Sequence, residues 1–350
     1  MYYSQTAKLA IYAEGEFGKN SKTAEGVLRY AKNPIVAVID SRQAGKTVQD
    51  VTSIPCPAPI VASINEALSL KPDALLLGTA WQGGALPPQW RPDILAALDA
   101  GLDIINGLHD FLTDDIEIAE AARRKKCLLL DVRKPPDKLP VACGRALKVD
   151  SHIVLTVGSD CSVGKMTVSL ELAKVAQQRG HTAKFVATGQ TGIMIDGEGI
   201  AIDRVIGDFM AGATEQMVVE ASANHEFILV EGQGSIVHPG FSGVTIALLH
   251  GSCPHTMILV SNPQRPNMKD TPFPVLPYKT LIRMYEELAA PMRPAKVVGI
   301  ALNTRGMDEA SAKAAIKQAE DETGLPATDA VRYGAAKLFD AIEAHRGVKV

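Results

Sequence analysis

Gly158-Ser159-Asp160-Cys161-Ser162-Val163-Gly164-Lys165-Met166-Thr167 follows the apolar run Ile153–Val157 and opens a helical pattern that continues to about Arg179. Strand, glycine loop, lysine and helix, in that order, build a phosphate-binding loop. Backbone N–H groups of such a loop point at the anion, and the helix N-terminus adds partial positive charge. Gly158 and Gly164 permit the tight path, and Lys165 supplies a full charge. The position after the lysine, where a Ser or Thr ordinarily holds magnesium, is Met166, and Thr167 follows one residue late. The ten residues therefore promise a seat for phosphate with altered magnesium chemistry.

Outward from this loop, apolar β-rich runs alternate with helical stretches. After the loop, strands are expected at 152–157, 183–187, 227–230, 256–260 and 297–302, with helices at 208–222, 279–288 and 309–323. Asn262–Pro277 reads as a long irregular loop, and loops of that length are often functional. Before it, strands are expected at 8–13, 34–40, 58–67 (running into a helix), 73–78, 103–106 and 127–132, with helices at 21–31, 91–100 and 112–124. Apolar strands separated by helices predict parallel sheets covered on both faces. The expected fold is α/β. A Rossmann-like parallel-sheet domain occupies residues 1–140, without a GxGxxG fingerprint, and a P-loop NTPase-like α/β domain occupies 141–350. The boundary is drawn at Pro135, Pro136 and Pro140.

The 350 residues are 46% apolar and 21% charged, with a net charge of −3, which gives no electrostatic reason to expect nucleic acid or an anionic membrane as partner. Five scattered cysteines without a CxxC pair argue against disulfides and zinc, and no metal ligand set is expected. No apolar run approaches the roughly 20 residues needed to span a bilayer. A cytoplasmic protein acting on a small molecule is the expectation.

Three further constellations sit at strand ends, where open parallel sheets bind ligands. Glu231-Gly232-Gln233-Gly234-Ser235 follows the strand at 227–230, and Glu231 suits a general base, with His238 in the next loop as second candidate. Gln233, Gln190 and Thr191, the latter two within Thr188–Gly192, suit hydrogen bonding to substrate. Asn303 and Arg305 follow the strand at 297–302, the amide suited to a purine edge and the guanidinium to a carboxylate or phosphate. Asp208 is expected as a helix N-cap. In the first half, Glu14-Gly15, Ser21-Lys22-Thr23, Asp40, Gly78-Thr79 and Gly83-Gly84 also lie at strand ends.

The loop and the Glu231–Gly234 turn resemble the dethiobiotin synthetase branch of P-loop proteins, which has threonine where this chain has Met166. A fuller resemblance runs through most of the chain. Ala13–Gly15, Ser21–Ala24, Val36–Asp40, Gly158–Thr167, Val230–Ser235, His238–Gly240 and Gly324–Asp329 are similar to the D-glutamate N-acetyltransferase family, long filed as a domain of unknown function. The resemblance implies a Rossmann-like domain plus a P-loop domain and acetyl transfer from acetyl-CoA to the amine of D-glutamate. Residues 158–167 would hold coenzyme A phosphates, whose binding needs no magnesium hydroxyl, and Asn303 would also bind the cofactor. Glu231 or His238 would serve as base, and Gln190, Thr191, Gln233, Arg305 and Lys22 would hold substrate. A homo-oligomer is expected. Two other readings stand beside it: an ATP- and magnesium-dependent ligase or kinase of the dethiobiotin synthetase type, and a nucleotide-binding protein without turnover.

Overall fold

The computed structural model describes residues 3–79 and 84–347. The chain forms two compact units, one of residues 1–135 with 190–204, the other of residues 136–189 with 205–350. A single boundary near residue 140 therefore misses an excursion: 190–204 leaves the second unit's sequence and belongs to the first.

The first unit alternates β1 (Leu9–Tyr12), α1 (Lys22–Tyr30), β2 (Ile35–Ile39), α2 (Val48–Val51), β3 (Ile60–Val61), α3 (Ile64–Leu68), β4 (Ala74–Leu77), α4 (Arg91–Asp99), β5 (Asp103–Asn106), α5 (Ile116–Lys125) and β6 (Leu129–Asp131). All pairings are parallel and the strand order is β3-β2-β1-β4-β5-β6, the Rossmann arrangement, whose order reverses between β1 and β4. β1 and β4 are buried at every position, as strands covered on both faces must be. The expected helix at 112–124 starts later, because Asp115 accepts from the Ile118 N–H and caps α5 only there.

The second unit runs β7 (His152–Gly158), α6 (Lys165–Gln178) and β8 (Ala183–Val186). The excursion then carries α7 (Gln190–Asp196), after which the unit resumes with α8 (Gly207–Ser222), β9 (Phe227–Val230), α9 (Ser242–Ser252), β10 (Thr256–Ser261), α10 (Tyr278–Ala289), β11 (Lys296–Leu302), α11 (Glu309–Thr323), β12 (Ala327–Thr328) and α12 (Ala336–Arg346). Its sheet is again all parallel, in the order β12-β11-β10-β7-β9-β8. From β7 the chain reaches β8 and β9 on one side and β10 on the other, so the order reverses at the strand that feeds the glycine loop. In open α/β sheets the ligand crevice lies outside the carboxyl ends at such a reversal.

Several helices went unforeseen. α9 and α12 were not expected, and Gln190 and Thr191, read as part of a polar loop, begin α7. Asp208 lies inside the first turn of α8, whose N-cap is Ile206, so it is not the cap. Gly84 has φ near +55°, and an added Cβ there would collide with the His109 ring; its neighbour Gly83 lies outside the described residues. No helix among the described residues is long and apolar enough to cross a membrane.

Candidate functional site

The carboxyl end of β7 is where the second unit concentrates buried charge. The loop after Gly158 turns through Ser162, at φ near +53°, and Gly164, at φ near +112°, before α6 begins at Lys165. Lys165 is 5% exposed and its Nζ donates to the Asp160 carbonyl at 2.8 Å, which folds the side chain over the loop. A Cβ on Gly158 would stand 2.7 Å from that Nζ and 3.1 Å from the Gly234 carbonyl, so glycine makes room for the lysine. Met166 is buried, packed into the first turn of α6 as its apolar character suggests, while Thr167 is half-buried beside it.

Asp160 is the knot of the loop. Its fully buried carboxylate accepts from the Cys161 N–H at 2.7 Å, from Arg265 Nη1 at 2.8 Å and from the Lys269 N–H at 2.8 Å. Arg265 also donates to the Cys161 and Ser162 carbonyls, at 2.8 and 3.3 Å. A buried carboxylate needs this degree of pairing, because leaving one charge uncompensated costs several kcal/mol. The irregular segment 262–277 thus clamps the loop from outside. Arg265 and Lys269 were not singled out in the sequence, although the segment carrying them was marked as functional by its length. Tyr285 was also missed: it sits inside α10's buried face, yet its hydroxyl donates to the Gly158 carbonyl at 2.8 Å and accepts from the Ile236 N–H at 3.2 Å. Burial raises its pKa and keeps the phenol protonated for that role.

Glu231 follows β9 and is 5% exposed. Oε2 accepts from the Thr188 and Gly189 N–H groups, at 3.0 and 3.2 Å, and the Thr188 hydroxyl donates to the Glu231 carbonyl at 2.7 Å. Gln233 Nε2 donates to the same Thr188 hydroxyl at 3.1 Å. A Cβ on Gly189 would lie 2.5 Å from Gln233 Nε2 and 3.5 Å from Glu231 Oε1, so amide and carboxylate converge on that glycine. The turn itself is forced by close packing: a Cβ on Gly232 would stand 1.7 Å from the Thr156 carbonyl oxygen, and Gly234 has φ near +58°.

His238 has a different employment from the one its sequence context suggested. The Gly240 N–H donates to Nδ1 at 3.1 Å, so Nδ1 is unprotonated, and Nε2 must then donate to the Lys269 carbonyl at 2.9 Å. Both ring nitrogens are committed to holding the loops together, and the ring packs 4.7 Å from that of Phe241. Asp160, Cys161 and His238 bring one potential ligand atom each within 4.8 Å of one another. With the carboxylate taken by Arg265 and two amides and the imidazole by two backbone groups, the trio forms a hydrogen-bonded knot rather than a cation seat. Burial, and then the neighbouring Asp160, raise the Cys161 thiol.

On the far side of the loop, Asn303 stands where β11 ends. Its Nδ2 would be 3.9 Å from a Cβ on Gly164, and its Oδ1 accepts from the Arg305 N–H at 3.2 Å. Arg305 is exposed on this loop. Asp329 fixes the loop from beneath by accepting from the Thr304 N–H and hydroxyl at 2.9 and 2.6 Å. The second unit therefore brings together residues 158–167, Glu231, Gln233, His238, Asn303 and Arg305. Lys22, Gln190 and Thr191 belong to the first unit, where the Thr191 and Thr23 hydroxyls lie 3.0 Å apart.

Residues 140–339 match a family described as a domain of unknown function, DUF1611, P-loop domain, and residues 41–135 match its Rossmann-like N-terminal counterpart. The chain belongs to the DUF1611 family. A solved structure of a DUF1611 family protein from Anabaena variabilis is 42% identical, covers 97% of this chain and 100% of its own, and superposes with a TM-score of 0.93. A protein named D-glutamate N-acetyltransferase from Tritonibacter scottomollicae is 39% identical over 287 residues, 81% of this chain and 84% of that one. Another of the same name from Pseudoalteromonas sp is 38% identical over 276 residues, 78% and 82% of the two chains. The two parallel-sheet α/β domains expected from the sequence are those of this family.

Proposed function

We propose that the protein is an N-acetyltransferase that moves acetyl from acetyl-CoA to the amino group of D-glutamate. The observation that carries the reading is the pairing of a buried Lys165 cradle with a buried Met166. The cradle offers backbone donors and one cation for phosphate, while a thioether packed into α6 replaces the magnesium-holding hydroxyl. A coenzyme A pyrophosphate suits such a loop, and the two relatives named for D-glutamate acetylation add the acceptor.

In this reading residues 158–167 hold the coenzyme A phosphates and the Asn303 amide contacts the same ligand beside Gly164. The acceptor's amine nitrogen attacks the thioester carbonyl, a C–N bond forms, the C–S bond breaks, and the thiolate leaves. An ammonium cannot attack, so a base must first remove a proton. Glu231 is the group assigned here, since it is a buried carboxylate at the sheet's carboxyl edge, whereas His238 has both nitrogens occupied. Gln233 orients the acceptor beside Glu231, and Arg305 pairs with an acceptor carboxylate. Backbone N–H groups of the glycine turns stabilise the oxyanion.

The test is release of free thiol from acetyl-CoA by purified protein given D-glutamate. Absence of thiol across repeated preparations would remove the activity. Glu231→Gln is expected to lower kcat by about 100-fold with acetyl-CoA affinity retained, and wild-type turnover in that variant would remove the base assignment alone.

A further inference from the structure

The first unit carries a cavity of about 560 Å³ that the acetyl-transfer reading does not use. It opens among the loops that follow β4 and β5, at the carboxyl edge of the first sheet, and Arg204 is also in its lining. This volume falls within the range of ordinary small-ligand sites. Its chemistry follows from cancelling the charges that already have partners. Arg91 donates to both oxygens of Asp115, at 2.6 and 2.7 Å, and to Glu117 at 2.7 Å, so that guanidinium is spent. Asp114 faces Lys134 at 3.6 Å.

What remains is one charge of each sign. The Arg204 guanidinium lies 4.9 Å from the Phe111 ring centroid and makes no ion pair among the described residues. Stacking on an aromatic face leaves a guanidinium's edge donors for a ligand. Asp110 accepts the Leu86 N–H at 2.8 Å through Oδ2 and has no cationic partner among the described residues. His109 also lines the cavity, close enough to feel both charges, and its ring makes no hydrogen bond among the described residues. Burial first, and then the nearby Arg133, lower its pKa and leave it a neutral imidazole. One cation, one anion, a neutral imidazole and an aromatic wall complement a zwitterion.

We propose that this cavity binds a free amino acid in its zwitterionic form. Arg204 takes the α-carboxylate in a two-pronged contact, Asp110 takes the ammonium, and His109 hydrogen-bonds the side chain. The proposal is independent of the acetyl-transfer reading, because the site lies wholly within the first unit and its test needs no acetyl-CoA.

The test uses the full chain with ¹³C-labelled histidine, the His109 resonance being assigned by its loss in His109→Gln. D-glutamate and L-glutamate are the zwitterionic probes, and glutarate is the probe without an ammonium. The His109 resonance is expected to shift with at least one glutamate enantiomer, with an affinity that falls about tenfold in Arg204→Gln. Glutarate should bind more weakly than glutamate to the wild type, and Asp110→Asn should erase that difference. No shift with either enantiomer, or an unchanged affinity in Arg204→Gln, would overturn the site. Equal affinity for glutarate and glutamate in the wild type would overturn the zwitterion assignment. Thiol release plays no part in any of these outcomes, so loss of the activity reading leaves this one standing, and the reverse.

Discussion

The carboxyl edges of the two sheets meet the same demand in opposite ways. Both sheets are six-stranded and all parallel, and each reverses its strand order near the middle, which leaves a crevice. In the first unit the chain itself covers the reversal beside β1, and the cavity opens instead among the loops after β4 and β5. α7 packs on α1, Thr191 meets Thr23, and a Cβ on Gly107 just after β5 would be 2.9 Å from the Met194 side chain. The Tyr3 hydroxyl donates to the Met194 carbonyl, and Arg133 pairs with Asp203 farther along the same excursion. In the second unit the reversal is lined with glycine turns, a buried lysine and two buried carboxylates, each held by hydrogen bonds. A Rossmann order therefore does not by itself make a nucleotide site. What differs is whether small residues and charges are left at the point of reversal or that point is covered by a further segment of chain.

The largest effect that could break this contrast is at Lys165. Lys165→Ala removes the only full positive charge of the loop itself, and an electrostatic contact of that kind is worth roughly 100- to 1000-fold in rate. Thiol release should fall by about that factor, with the folded state retained as judged by circular dichroism. Turnover near that of the wild type would mean the second edge is not the anion site.

The opposite end of the second sheet supplies the next effect. His152 and His255, at the starts of β7 and β10, stack with ring centroids 4.9 Å apart. The His152 Nε2 lies 3.0 Å from the Thr256 hydroxyl, and His255 Nδ1 accepts from the Ile153 N–H at 3.0 Å. Burial, reinforced by the neighbouring histidine and by Arg346, His345 and Arg293, holds His152 down at about 3. Burial and then Arg293 and His345 hold His255 down at about 4. Both are neutral in the fold, whereas unfolded histidine takes a proton near pH 6.5. The unfolded state binds more protons below that pH, so stability falls as pH drops from about 6.5 toward 3 to 4 and is flat above 6.5 on this account. At pH 5 the loss is roughly 2 kcal/mol per histidine. Urea unfolding at pH 7 and pH 5 checks it, and a midpoint that does not move would show that these rings are solvated.

Much of this contrast was readable in advance, and the unread part has a physical cause. The second edge announced itself because charge chemistry uses rare residues at tight spacing: Gly158, Gly164, Lys165, Glu231 and Asn303 are conspicuous at strand ends. The covered reversal of the first sheet did not, because α7 uses Ile193, Met194 and Ile195, which look like any buried segment, and nothing local tells which sheet they will cover. Gln190 and Thr191, expected in a polar loop at a strand end, stand instead at a helix start. His238 misled because a histidine in a glycine loop is a base only if a ring nitrogen is left over, and that is settled by Lys269, 31 residues away. Tyr285 carried no signal at all, being spaced as an ordinary core residue of α10.

A smaller effect tests the covered reversal. Gly107→Val pushes a branched side chain toward Met194 and Gln190, both in α7. Met194 is flexible and can give way in part, so the cost should be about 1 to 3 kcal/mol, read as a lower unfolding midpoint. Acetyl-CoA affinity should stay at the wild-type value, because every residue assigned to that ligand lies in the second unit. A fall in that affinity would show that the covering segment serves the ligand as well as the fold.

The smallest expected effect is at Met166, and it bears on why the open edge takes the ligand it does. The side chain is buried where α6 starts, next to the lysine, so Met166→Thr exchanges packing for a hydroxyl at the start of the helix. If the cradle serves a thioester substrate through its phosphates alone, that hydroxyl adds nothing to acetyl transfer, and thiol release should change by less than about threefold. Magnesium-dependent ATP binding should instead rise, because the hydroxyl now stands where a P-loop places its metal contact. Calorimetry with ATP, with and without magnesium, separates the outcomes. Wild-type protein that already binds magnesium-ATP as tightly as Met166→Thr would show that the methionine is no barrier to a nucleoside triphosphate. The loop's preference would then have to come from elsewhere at the edge, with Asn303 beside Gly164 the first residue to change.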